Sequence, residues 1–188
     1  MLQFIVALIL SLPQHRQEID GDPQKYRPSK CPHPECGRAG GMWLHGHYKR
    51  KVRGKAKRDC EHEHAQGEEI LVPRFRCRYC RQTCSSLPSC VPPRRWYIWE
   101  VQAAVLALLL EGGSLNECAR RFLPSRRTAR RWWQWLNDRH VLFDDRLRTR
   151  WPDLGRAVDW PELWRMCLAM RPLSEAMAEL ARQGTAVP

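Results

Sequence analysis

No apolar run in this 188-residue sequence is long enough to cross a bilayer, which takes about 20 residues. The nearest candidate, residues 2 to 12 (LQFIVALILSL), is shorter and is interrupted by Gln3. No Lys or Arg precedes it and no small-x-small cleavage site follows it, so it reads as a buried strand or short core helix rather than a targeting segment. No membrane partner is expected. The chain also lacks a glycine-rich phosphate loop, a nucleophile motif, internal repeats and low-complexity tracts, and no enzyme is expected. Acid is scarce too. Twenty Asp and Glu stand against 32 Lys and Arg, a formal net charge of +12, which concentrates polyanions such as DNA or RNA around the chain. The apolar fraction of 43% is ordinary and excludes global disorder.

Cysteine is abundant. There are nine, an odd number that leaves one over in any all-disulfide scheme. Four sit in two tight pairs, Cys31 with Cys36 in CPHPECG and Cys77 with Cys80 in CRYC. In an intracellular protein such pairs point to metal; in an exported one they would pair as disulfides. Four thiolates around one ion are what a structural zinc takes, and two tight turns joined by a β-hairpin bring them together. Strands are expected over residues 42–53 and 69–76 and near Thr83 to Leu87, with Pro73 at an edge or bulge. The hairpin tip is basic: Lys49, Arg50, Lys51 and Arg53 open the run KRKVRGKAKR, read as an exposed arm for phosphates. His33 and His45 lie near the first pair. Cys60, His62 and His64 form a short acidic run without a fourth ligand. Cys84 and Cys90 are open between replacing a ligand and filling the core; Cys118 and Cys167 fall in helical patterns and read as core.

The fold class expected is α+β: a small β zinc ribbon, then a three-helix helix-turn-helix unit and a short helical tail. The domains are 1–30 (apolar segment and linker, connecting over 13–30), 31–90 (ribbon with basic hairpin loop), 96–140 (helix-turn-helix) and 141–188 (tail). Residues 91–95, VPPRR, read as a linker. Val101, Ala104, Val105, Leu108 and Leu109 recur at helical spacing, and Gly112 and Gly113 end that helix. Ser114 and Glu117 form a capping box, and Leu123–Pro124–Ser125 make the turn. The third helix begins at Arg126. Ala129, Trp132, Trp133 and Leu136 turn inward, while Arg126, Arg127, Arg130, Arg131 and Gln134 face out as candidate contacts to double-stranded DNA. Prolines 152, 161 and 172 break the tail into two or three short helices, where Asp144, Asp145, Asp153, Asp159 and Glu162 read as surface acids and helix starts.

CPHPECG, VPRFRCRYC, Pro92–Pro93 and SLNECARRF…SRRTARRWWQWL together resemble the zinc-ribbon and helix-turn-helix N-terminal region of bacterial insertion-sequence transposases and related small bacterial proteins, over roughly residues 28–140. The resemblance implies one structural zinc on Cys31, Cys36, Cys77 and Cys80, and a cytoplasmic, nucleoid-associated protein. It implies a transposon accessory factor or transcriptional regulator, with a transposase or another protein of the same element as a partner. The alternatives are a protein-interaction module of a larger nucleic-acid machine and an active transposase. Against the last, about fifty residues follow the third helix, too few for a nuclease core with three metal-binding carboxylates.

Overall fold

The computed structural model describes residues 2–6, 11–54, 68–93 and 95–183, with side chains from residue 11 onward. These fall into two compact units, one holding the described residues up to Arg53 and from Glu68 to Trp96, the other those from Tyr97 onward. The fold is α+β, as expected: sheet in the first unit, helices in the second.

The first unit is a mixed sheet of β1 (Leu2–Val6), β2 (Met42–Val52), β3 (Glu68–Cys77) and β4 (Thr83–Pro88), in the order β1-β4-β3-β2. The last three are antiparallel neighbours and match the expected strands; β1 adds in parallel to β4, Leu2 opposite Cys84. Part of the apolar N-terminus is therefore an edge strand, residues 7–10 lying outside the described residues. Pro73 sits in β3, a central strand rather than an edge. Pairing with β4 covers only Arg74–Arg76, and on the other side the register slips between Leu44 and Gly46, so Pro73 stands where few ladder bonds need its missing N–H. Gly46, at φ 145°, supplies the backbone that this bulge requires.

Residues 13–30 do not simply connect. They hold α1 (Leu12–Gly21) and a 3-10 turn over Pro23–Tyr26. Pro13 and Pro23 start these elements, both in the first positions of their turns, where the missing N–H has no helical partner to lose. Ser11 caps α1 by accepting from Gln14 N–H at 3.3 Å, and Asp22 caps the next turn by accepting from Gln24 N–H at 2.9 Å. Leu12, His15 and Ile19 share the buried face of α1. Ile19 and Tyr26 complete a core with Cys31, Met42, Phe75, Cys77 and Cys84.

The second unit packs α2 (Trp99–Leu110), α3 (Leu115–Arg121), α4 (Arg126–Asp138), α5 (His140–Arg150), α6 (Trp160–Met170) and α7 (Leu173–Arg182). Helix α2 touches α3, α4, α6 and α7, so the three-helix unit and the tail share one core and no boundary falls at residue 140. This is why α2 buries more than the single stripe its periodicity suggested: Val101, Val105 and Leu109 are joined by Gln102, Leu106 and Leu110, while Ala104 and Leu108 are only half-buried. Prolines 152, 161 and 172 stand at element starts. Among the described residues no helix is long and apolar enough to cross a membrane.

Candidate metal centre and basic helix

Two turns build the metal centre. In the first, His33 carbonyl accepts from Cys36 N–H (3.0 Å) and Gly37 N–H (3.1 Å), and Cys31 N–H donates to Arg38 carbonyl (2.9 Å), closing the loop back on itself. Gly37 takes φ 56°, the left-handed turn that lets the chain reverse after the second cysteine. The second turn follows β3. Arg81 N–H donates to Cys77 carbonyl and Cys77 N–H to Gln82 carbonyl, both at 2.9 Å, and Arg81 takes the left-handed position at φ 59°. The turns are linked where Arg78 N–H donates to Gly41 carbonyl at 2.9 Å.

The four Sγ atoms of Cys31, Cys36, Cys77 and Cys80 lie within 4.8 Å of one another. Cys31 to Cys80 is 3.7 Å and Cys36 to Cys77 is 3.8 Å. A disulfide needs about 2.05 Å, and none of these cysteines is bonded to another. Four sulfurs at about 2.3 Å from a common centre in a tetrahedron stand about 3.8 Å apart, so the cage fits one tetrahedral ion. Burial pushes the Cys31 thiol up to about 12. Burial acts in the same sense on Cys77, but backbone N–H groups of Cys80 and Tyr79, together with the Cys31 and Cys36 thiols, outweigh it and hold that thiol below its ordinary 9.0. Amides aimed at a sulfur favour a thiolate, the form a metal takes. All four thiols belong to or pack against the core of the unit, so the cage is part of the core.

The competing ligands separate. His33 contributes its carbonyl to the turn, and His45 sits against Trp43, ring centroids 5.2 Å apart. Cys84 is buried behind Cys77, its thiol raised to about 11 chiefly by burial, and Cys90 is buried as well, as are Cys118 and Cys167. Among the described residues this is the one group of His, Cys, Asp or Glu that could hold a metal ion. Cys60, His62 and His64 lie outside the described residues, as do residues 55–58 of the basic run.

The rest of that run does not lie on one face. Lys49 and Lys51 are exposed on β2, Lys49 lying 3.4 Å from Glu69. Arg50 points to the other face, where its guanidinium donates to the carbonyls of Pro92 (2.7 Å) and Arg95. It ties the expected linker to the sheet, and Val91 in that linker is fully buried. Arg53 is held by backbone to Trp96 carbonyl and lies over the Trp96 ring, 5.3 Å from its centroid.

In the helical unit, Ser114 caps α3 by accepting from Glu117 N–H at 3.1 Å, but the Glu117 carboxylate pairs with Arg121 at 3.1 Å, so half of the expected box forms. Residues 122–125 turn the chain, and Ser125 caps α4 by accepting from Thr128 N–H at 3.3 Å. Ala129, Trp132 and Leu136 are buried. Trp132 meets Tyr97, Trp133 meets Trp160 and Trp135 meets Phe143, centroids 5.6, 5.3 and 4.8 Å apart. Arg126, Arg127, Arg130, Arg131 and Gln134 are all exposed, and none of the four arginines pairs with an acid among the described residues.

A family model matches residues 33–132, just over half of the chain. The chain belongs to the DUF6431 family. That family is a domain of unknown function, and its span runs from the first cysteine turn to the middle of α4. The DUF6431 span thus holds Cys36, Cys77, Cys80 and the arginines of α4, while Cys31 lies two residues before it and Gln134 two after. Neither curated proteins nor solved structures gave a match.

Proposed function

We propose that this is a zinc-dependent DNA-binding protein in which α4 enters the major groove and the cysteine cage keeps the ribbon folded. The observation that carries the reading is the outer face of α4: four exposed, acid-free arginines and Gln134 on a helix anchored from behind by tryptophans. Arginine suits this work because its planar fork donates two hydrogen bonds to a guanine edge or a phosphate. Ser125 fixes the start of α4, which places Arg126, Arg127 and Arg130 in the turns that reach base edges in a helix-turn-helix. Zinc is the ion a tetrahedral set of four thiolates suits best; bound there, it supplies a rigid cross-link and, with no open coordination position, no catalysis. The resemblance to transposase N-terminal regions supports a role as a transposon accessory factor or regulator, and a chain that keeps thiols for metal suits the reducing bacterial cytoplasm.

Binding-site selection from a random duplex library, followed by titration of variants on selected and scrambled duplexes, tests this. Arg127→Ala or Arg130→Ala is expected to cost about 1–3 kcal/mol on the selected site and to relax its sequence preference. As exposed residues they should change thermal stability by no more than about 0.5 kcal/mol. Full discrimination retained by both variants would reject α4 as the reading element and leave the interaction-module reading.

A further inference from the structure

A second basic surface belongs to the ribbon unit, and it carries aromatic rings. Trp43 stands opposite Arg76 in the β2–β3 register and is 45% exposed. The ring of Tyr79, which is 39% exposed, covers Gly41, the residue just before β2 and two before Trp43; a Cβ at Gly41 would lie 2.4 Å from that ring. At about 3.4 Å of rise per extended residue, Trp43 is about 7 Å along the chain from the glycine that the Tyr79 ring covers. Tyr79 is held in place. The Arg38 and Arg78 guanidiniums lie 5.1 and 4.9 Å from its centroid, and Arg78 donates to its hydroxyl at 2.9 Å. Arg76 Nε donates to Arg81 carbonyl at 3.1 Å, and Arg74, on the Arg76 side of β3, has a buried Nε with no hydrogen-bond partner. None of these five arginines pairs with an acid among the described residues.

We infer that this face of the ribbon is a binding platform for unpaired nucleic acid. Two exposed, pre-positioned rings offer stacking surface, and the rim of arginines offers neutralising charge and cation–π contact, the two parts of a single-strand site. Paired bases hide their faces within the duplex stack, so the rings have work to do only on bases that are unpaired. The uncompensated positive rim selects a polyanion over an ordinary protein surface of mixed charge. The inference rests on nucleic acid being the partner but not on α4 reading a duplex.

The test uses the full chain with bound metal and two labelled ligands, an oligothymidylate of about twelve nucleotides and the selected duplex, followed by anisotropy. The double variant W43A/Y79A is expected to weaken oligothymidylate binding by roughly tenfold or more and to leave duplex affinity within about twofold. W43F/Y79F, which keeps both ring faces, should bind the single strand nearly as the parent does. R127A/R130A should do the reverse of W43A/Y79A. Metal content and thermal melting of each variant report whether it is folded; if W43A/Y79A does not fold, the comparison of W43F/Y79F with R38Q/R78Q carries the test, the latter losing single-strand binding. The inference is overturned if the parent binds no single strand, or if folded W43A/Y79A binds it unchanged. Duplex binding lost only in R127A/R130A, with single-strand binding insensitive to the rings, would sustain the α4 reading alone. The opposite pattern would sustain the platform and sink the α4 reading.

Discussion

His15 holds three segments together without touching metal or solvent. Its side chain is fully buried. Nε2–H donates to Leu71 carbonyl at 2.9 Å, and Nδ1 is hydrogen-bonded to the Tyr26 hydroxyl, accepting from it when the ring is neutral. Thus α1, the 3-10 turn and β3 meet at one ring. Burial is the largest influence on it and lowers its pKa below 6.5. An unfolded chain takes up the proton near 6.5 while the folded one resists it. The stability His15 contributes is therefore fully present above pH 6.5 and is lost as pH falls toward the lower folded value. Ring nitrogen shifts from NMR should place the His15 titration midpoint below 6.5; half-protonation at or above 6.5 would contradict this account. The sequence hid this residue for a plain reason. Its partners are 11 and 56 residues away, whereas the ligand cysteines announce themselves in pairs a few residues apart.

At the scale of elements, the alternation of a strand divides what the sequence presented as one basic arm. In β2, Lys49 and Lys51 fall on one face opposite Leu71 and Glu69, and Arg50 on the other opposite Ile70. Arg50 then donates from its guanidinium to the carbonyls of residues 92 and 95. Arg50→Gln is expected to lower the stability of the ribbon unit by about 1–3 kcal/mol, the scale for hydrogen bonds made by a charged group. Lys49→Gln with Lys51→Gln should leave stability within about 0.5 kcal/mol, since an exposed ion pair such as Lys49–Glu69 contributes little. On the proposed DNA-binding function it should weaken every duplex by a similar factor and flatten the salt slope by about 0.9 for each phosphate no longer neutralised. Equal melting temperatures for the two variants would reject the division. Strands β2 to β4 and helices α2 to α4 were legible because period 2 and period 3.6 are local signals. Helix α1 was not: Pro13 within it and Pro23 just after it look like breaks until Ser11 and Asp22 are seen to be caps, and its buried face is only three residues, one of them His15.

For the whole molecule, the metal centre and the helices belong to different cores, and this sets how the chain should come apart. The ribbon unit has one hydrophobic cluster, and the four thiols are in it or against it together with Ile19, Tyr26, Met42, Phe75 and Cys84. Removing an ion from such a cage leaves thiols crowded at less than 4.8 Å in the middle of a small core, with burial resisting the charge of Cys31. Structural zinc sites of this kind contribute about 10–16 kcal/mol of apparent binding free energy, more than the whole stability of a typical domain. The helical unit has its own interior, built where α2 meets α4, α6 and α7, and no cysteine cage within it among the described residues. Chelation of the full chain should therefore release one zinc per chain and open amides in β2, β3 and β4 to exchange. The loss should extend to α1, whose Ile19 packs in the same cluster, so it reaches beyond the segment between the cysteine pairs. Amides of α2, α4 and α6 should keep their protection, and far-ultraviolet circular dichroism should keep most of its helical signal. Hydrogen exchange read residue by residue before and after chelation decides it. A single loss of protection across both units would mean that the helices depend on the ribbon. Retained protection in β3 after the metal is gone would mean that the apolar cluster holds the ribbon unaided, and Cys36→Ser should then melt close to the parent. With the metal as the central support, Cys36→Ser should instead bind less than one zinc per chain and lose the ribbon's protection at temperatures where the helices remain folded.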